Sequence, residues 1–169
     1  INYQGKLHLN MGKEHHFNLT TFWQDTDGQG TANVRKYSRN HTVSINGKPD
    51  QHLTTDNAAV GDKSKLNPED LLVTAISSCH MLSYLYLCSL EGIVVHNYID
   101  HASGIMIEQK EGGGQFKEVT LNPEVIVTDD SMIERAIELH HKAHEICYIA
   151  NSVNFEVKCI PVCKIMQVQ

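Results

Sequence analysis

The stretch "NPEDLLVTAISSCHMLSYLYLCSLEG", residues 67 to 92, constrains this chain most. Asn67 is suited to cap a helix, Pro68 to its first position, and Glu69 and Asp70 complement the positive helix start. Gly92 offers a left-handed stop. Between those signals the residues are apolar round most of the circumference. The spacing therefore predicts a helix from 67 to about 91 that other structure must cover. Ser77, Ser78, His80, Ser83 and Ser89 interrupt the apolar run, so it reads as a core helix rather than a membrane span.

Cys79 and His80 stand side by side at the middle of that helix. On a helical wheel Cys79 shares a face with Leu72, Ala75, Ile76, Leu82, Ser83, Tyr86 and Leu90. Cys88 points to the opposite side, which assigns it to packing, and His80 lies about 100° away from Cys79. A thiol in apolar surroundings is pushed above its ordinary pKa of about 8.5, so a thiolate there needs a neighbouring cation. No lysine or arginine lies between Lys65 and Lys110. Arg39, on an expected strand with Tyr37, His41 and Val43 facing inward, is the candidate, and Arg35 the second choice. Glu69 could hold that guanidinium in a bidentate pair. Glu69 precedes Cys79 by ten residues, about 15 Å along one helix. It can serve that sulfur only from another subunit, so the spacing favours a dimer.

The rest of the chain alternates strands with a second helix. "HFNLTTFW", "VRKYSRNHTVSI" and "DQHLTT" read as strands joined by "DTDGQG" and "NGKP". "VVHNYIDHASGIMIEQ" and "QFKEVTLNPEVIV" predict a second hairpin around "EGGG". Asp129 or Asp130 caps a helix from about 131 to 149, and "VNFEVKC" supplies the last strand. The expected fold class is α+β, in one domain over residues 1–169 with its core at about 15–160. A net charge of −6 and the absence of a Lys/Arg run exclude a duplex nucleic-acid surface. The start "INYQGKLHLN" has no apolar signal-peptide core. Five irregularly spaced cysteines fit a reducing compartment, and a cytoplasmic location is expected.

In "ELHHKAHEICYIANS", Cys147 lies on one stripe with Ile137, His140 and His144 in the last turns of the helix. The negative helix end there raises a thiol pKa, which suits a resolving thiol better than an attacking one. The same stripe could hold zinc through His140, His144 and Cys147, with Cys79 as a fourth ligand. Cys159 and Cys163 form a weak metal signal at the end of the chain. His8, His15, His16, His52, His96 and His101 read as solvated surface.

"LNPEDLLVTAISSCHM" followed by "AHEICYIANSVNFEV" resembles the OsmC/Ohr superfamily of peroxide-reducing proteins. The specific elements are the Asn-Pro-Glu helix start, a cysteine ten residues after that Glu, and a second cysteine late in the second helix. The resemblance implies antiparallel sheets around two long central helices in an intertwined homodimer. It implies an organic hydroperoxide reductase of the oxidative stress response, using no cofactor. Cys79 would be the peroxidatic thiol, Cys147 the resolving thiol, and Glu69 the partner of an activating arginine. The substrate would be an organic hydroperoxide, received by an apolar pocket near Met81, Tyr84 and Tyr148, and the reductant a small or lipoyl-bearing dithiol. The place where better-known branches carry the arginine reads "DTDGQG" or "AAVGDKSK" here, so Arg39 stands in for it. The rival reading is a non-enzymatic small-ligand or metal-binding dimer that retains the fold.

Overall fold

A computed structural model describes residues 12 to 166, which form two compact units divided between Leu66 and Asn67. His8 lies outside the described residues. The first unit holds an antiparallel sheet of three short strands in the order β1-β2-β3: β1 (Thr20–Phe22), β2 (His41–Ser44) and β3 (Gln51–Leu53). The expected strand over "VRKYSRNHTVSI" is confined to its second half. Residues 34 to 37 turn instead, with Lys36 and Tyr37 donating back to the carbonyl of Asn33. Tyr37 and Arg39 therefore lie between β1 and β2 rather than alternate along a strand.

The second unit opens with α1 (Pro68–Leu90). Its start is a capping box: Asn67 Oδ1 accepts from the Asp70 amide at 2.7 Å, and the Asp70 carboxylate accepts from the Asn67 amide at 3.2 Å. Gly92, at φ +71°, ends the helix and lets the Ile93 amide return to the Cys88 carbonyl. The strands β4 (Val95–Asp100), β5 (Ser103–Glu108), β6 (Gly114–Leu121) and β7 (Pro123–Val127) follow, then α2 (Ile133–Ile146), β8 (Glu156–Cys159) and β9 (Val162–Ile165). The last of these was not expected from the sequence, which ended its strands at "VNFEVKC".

The expected second hairpin is split. β4 pairs with β7 and β5 with β6, so the ribbon divides between two sheets, β4-β7-β9 and β5-β6-β8. Asp100 fixes the division: its carboxylate accepts from the Asn122 amide at 2.7 Å and from Ser77 Oγ of α1 at 2.5 Å. β8 and β9 then join β6 and β7 in parallel, one to each sheet. The burial of Val119, Leu121, Pro123, Val125 and Val127 keeps its period of two straight through the break. Gly104 on β5 allows α1 to come close, since a Cβ there would lie 3.0 Å from the Val73 methyl and 2.7 Å from the Phe116 ring.

The fold is mixed α+β, with one long helix and a second of 14 residues packed on it. α2 begins as a 3-10 turn capped by Asp129, whose side chain accepts from the Ser131 amide at 2.9 Å. Arg135 of α2 grips the Glu91 carboxylate at the far end of α1 with two hydrogen bonds. By length and composition α1 could cross a membrane. Within this unit it buries Ile76, His80, Tyr84 and Cys88, one residue per turn, against the sheets and α2. The stripe that shares a wheel face with Cys79 is divided: Ile76 is buried, whereas Leu82, Tyr86 and Leu90 are exposed.

Candidate functional site

Cys79 and Cys147 come together in the second unit. Cys79 is half-buried near the middle of α1, and Cys147 is fully buried as the residue that ends α2. Both are free thiols. Burial pushes the Cys147 thiol up to about 11, and the neighbouring Cys79 thiol raises it further. The helix end contributes differently from the expectation. α2 stops at Ile146, Cys147 takes an extended backbone (φ −73°, ψ 107°), and the chain folds into a 3-10 turn at Ala150–Ser152. The amides of Ala150 and Ile149 thereby favour the Cys147 thiolate and oppose the burial. A thiol met by backbone N–H groups is a different object from one at the negative end of a helix.

Glu69 sits in the first turn of α1, half-buried, and one buried carboxylate oxygen has no hydrogen-bond partner among the described residues. Arg39 belongs to the first unit. Its guanidinium donates to the carbonyls of Tyr37 at 2.6 Å and Val34 at 2.7 Å, and it lies over the Tyr37 ring at 3.2 Å from the centroid. Arg35 is exposed.

The expected apolar pocket does not include Tyr84, which is wholly buried and stacked on His140 with 3.9 Å between ring centres. Tyr148 is exposed and Met81 half-buried. The zinc stripe of His140, His144 and Cys147 is overturned as well. His140 turns inward, where its Nδ1 stands 3.0 Å from His80 Nε2 and 3.8 Å from the Cys159 sulfur. The Cys159 sulfur is 3.5 Å from His80 Nε2. Sequence reasoning missed this trio, because its members come from α1, α2 and β8 and share no motif. The nearest signal was an apolar helix carrying one histidine on its buried stripe.

Burial pushes His80 down to about 4, against the opposing pull of Asp100, and His140 down to about 3, with His80 adding to the effect. Burial and then Asp100 push the Cys159 thiol up to about 12. Near neutral pH all three are uncharged, so His80 supplies no cation to Cys79. Cys163 departs from Cys159 altogether: it lies on β9 and packs beside the cluster of Tyr84, Cys88 and Val125. His15, His16, His52, His96 and His101 are exposed, as expected.

No curated protein matches the chain. Among solved structures, an OsmC-like protein of unknown function from Vibrio cholerae is similar at 28% identity and a TM-score of 0.80, covering 88% of this chain and 100% of its own. An organic hydroperoxide resistance protein from Elizabethkingia anophelis superposes with a TM-score of 0.69 at 22% identity, covering 91% and 100%. The OhrB organic hydroperoxide resistance protein of Bacillus subtilis does so at 0.58 and 18%, covering 89% and 98%. At those lower identities the likeness is one of fold. The family profile described as OsmC-like protein matches residues 61–160, well over half of the sequence. On that match, and on a fold it shares with these structures, the chain belongs to the OsmC-like proteins.

Proposed function

We propose that the protein is a thiol-dependent peroxidase that reduces organic hydroperoxides to alcohols. The observation that carries this reading is the meeting of Cys79 and Cys147, one half-buried and one enclosed, both free. The Cys79 thiolate attacks the terminal oxygen of ROOH. The O–O bond breaks, the alkoxide leaves and takes a proton as ROH, and the sulfur becomes a sulfenic acid. Cys147 then attacks that sulfur, its proton leaves with the hydroxyl as water, and a Cys79–Cys147 disulfide results. A small or lipoyl-bearing dithiol returns both thiols by exchange and is itself oxidised to a disulfide. The hydroperoxide resistance proteins of similar fold support the choice of substrate class. Thiol titration before and after one equivalent of cumene hydroperoxide tests the scheme. Two thiols should be lost per subunit; none lost would favour the non-enzymatic binder.

Activation is assigned to Arg39, with Glu69 of a second subunit in a homodimer holding the guanidinium. The unpartnered buried oxygen of Glu69 supports this, since a desolvated carboxylate needs a cation or donor. Two hydrogen bonds leave further guanidinium donors on Arg39 free to turn to a carboxylate. Arg39→Met is expected to move the iodoacetamide pH profile of Cys79 upward and slow peroxide attack at least about tenfold, a loss of roughly 1.4 kcal/mol. A shift on Arg35→Met instead would transfer the role to Arg35. No shift with either would remove arginine from the mechanism.

A further inference from the structure

We propose that His80 Nε2, His140 Nδ1 and Cys159 Sγ form a binding site for one zinc-type divalent ion, separate from the Cys79–Cys147 pair. The three atoms lie within 4.8 Å of one another. Zinc bonds of about 2.0–2.1 Å to nitrogen and 2.3 Å to sulfur, at tetrahedral angles, place two nitrogens about 3.3 Å apart and nitrogen and sulfur about 3.6 Å apart. The observed separations are 3.0 Å between nitrogens and 3.5 and 3.8 Å to sulfur. The trio thus encloses a point at bonding distance from all three after a nitrogen shift of a few tenths of an ångström. The side chains come from three elements fixed by the core, so the geometry does not rest on a mobile loop.

A hydrogen-bonded cluster is the competing account of these atoms. The two neutral imidazoles share one hydrogen bond, while the outer nitrogens, His80 Nδ1 and His140 Nε2, are buried without partners. Either tautomer strands one N–H and one lone pair there. A borderline ion takes both facing lone pairs and places both ring protons on the outer nitrogens. Binding releases the Cys159 thiol proton to solvent. The thiolate and the nearby Asp100 carboxylate, whose charge acts on both His80 and Cys159, together balance the two positive charges. Cys159 is the half-exposed member and marks the entry side. Three protein ligands leave one position for water. The missing acceptors for the outer N–H groups predict an affinity about 10–100-fold below that of a site with a complete second shell.

The test uses the full chain, freed of metal by chelator dialysis and titrated anaerobically with cobalt(II). A sulfur-to-cobalt charge-transfer band and strong visible bands should saturate at one ion per subunit and be displaced by zinc. Cys159→Ser should lose the charge-transfer band, and His140→Gln should weaken binding at least about tenfold. Cys79→Ser and Cys147→Ser should keep the band, so failure of the peroxidase reading leaves this result readable. Absence of the band in folded wild-type protein would overturn the site, whatever the variants do. A band retained in Cys159→Ser but lost in Cys79→Ser would overturn it too, by placing the ion on the other thiols.

Discussion

Serine in place of Cys79 is expected to abolish turnover of an organic hydroperoxide, whereas serine at Cys147 should leave a single turnover intact. The asymmetry comes from the surroundings of the two sulfurs. Cys147 is enclosed and burial holds its thiol well above the ordinary range, so near neutral pH it is protonated. In the proposed scheme Cys79, the half-buried partner, meets peroxide first. Once Cys79 is a sulfenic acid, the adjacent position of Cys147 outweighs its small thiolate fraction, because an oriented neighbour acts at a very high effective concentration. The amides of Ile149 and Ala150 stabilise the thiolate as it forms. In Cys147→Ser the sulfenic acid has no thiol to condense with. One equivalent of peroxide should be consumed per subunit, and excess should then carry Cys79 to sulfinic and sulfonic acids, read as added oxygens in the intact mass. Cys88→Ser, Cys159→Ser and Cys163→Ser should retain turnover. A sulfenic-acid trap that labels Cys147 in the wild type would reverse the two roles.

The limits of α1 were legible because its caps are local: Asn67, Pro68 and Asp70 at one end and Gly92 at the other. Its inward face was not. The helix is apolar nearly all round, so periodicity could not decide between the stripe of Ile76, Tyr84 and Cys88 and that of Leu82, Tyr86 and Leu90. The chain's own sheets and α2 take the first. The split of the long hairpin rests on Asp100 reaching both Asn122 and Ser77, which lie 22 and 23 residues away from it. Arg39 was placed on a strand from an alternation that the turn at Asn33–Tyr37 overrides. The pairing of Cys79 with Cys147 was implied by resemblance, since nothing in the spacing of two helices fixes how they pack. His80, His140 and Cys159 were beyond reach for the same reason: only the packed core brings 60 and 79 residues of separation down to hydrogen-bond distance.

Leu82→Glu is expected to convert a homodimer into a monomer at micromolar concentration. Leu82, Tyr86 and Leu90 follow one another at successive turns of α1 and are 63%, 58% and 65% exposed in the single chain. The second, bare apolar stripe is the face on which the proposed symmetric dimer would form, each copy covering the same stripe of the other. The dimer would also bring in Glu69 from the second subunit, which one chain cannot place beside its own Cys79. Burying a leucine is worth about 1.5–3 kcal/mol. Two-fold symmetry counts each substitution twice, so the dimer should weaken by about 3–6 kcal/mol, or some 10²- to 10⁴-fold. Burying two carboxylates would add to that. Glutamate is a good helix former, so α1 itself should persist and the circular dichroism should change little. Light scattering on both proteins decides the matter. A wild-type monomer at micromolar concentration would remove the dimer from the scheme. A dimeric Leu82→Glu would move the interface to another face, and the subunit that supplies Glu69 would then have to be sought there.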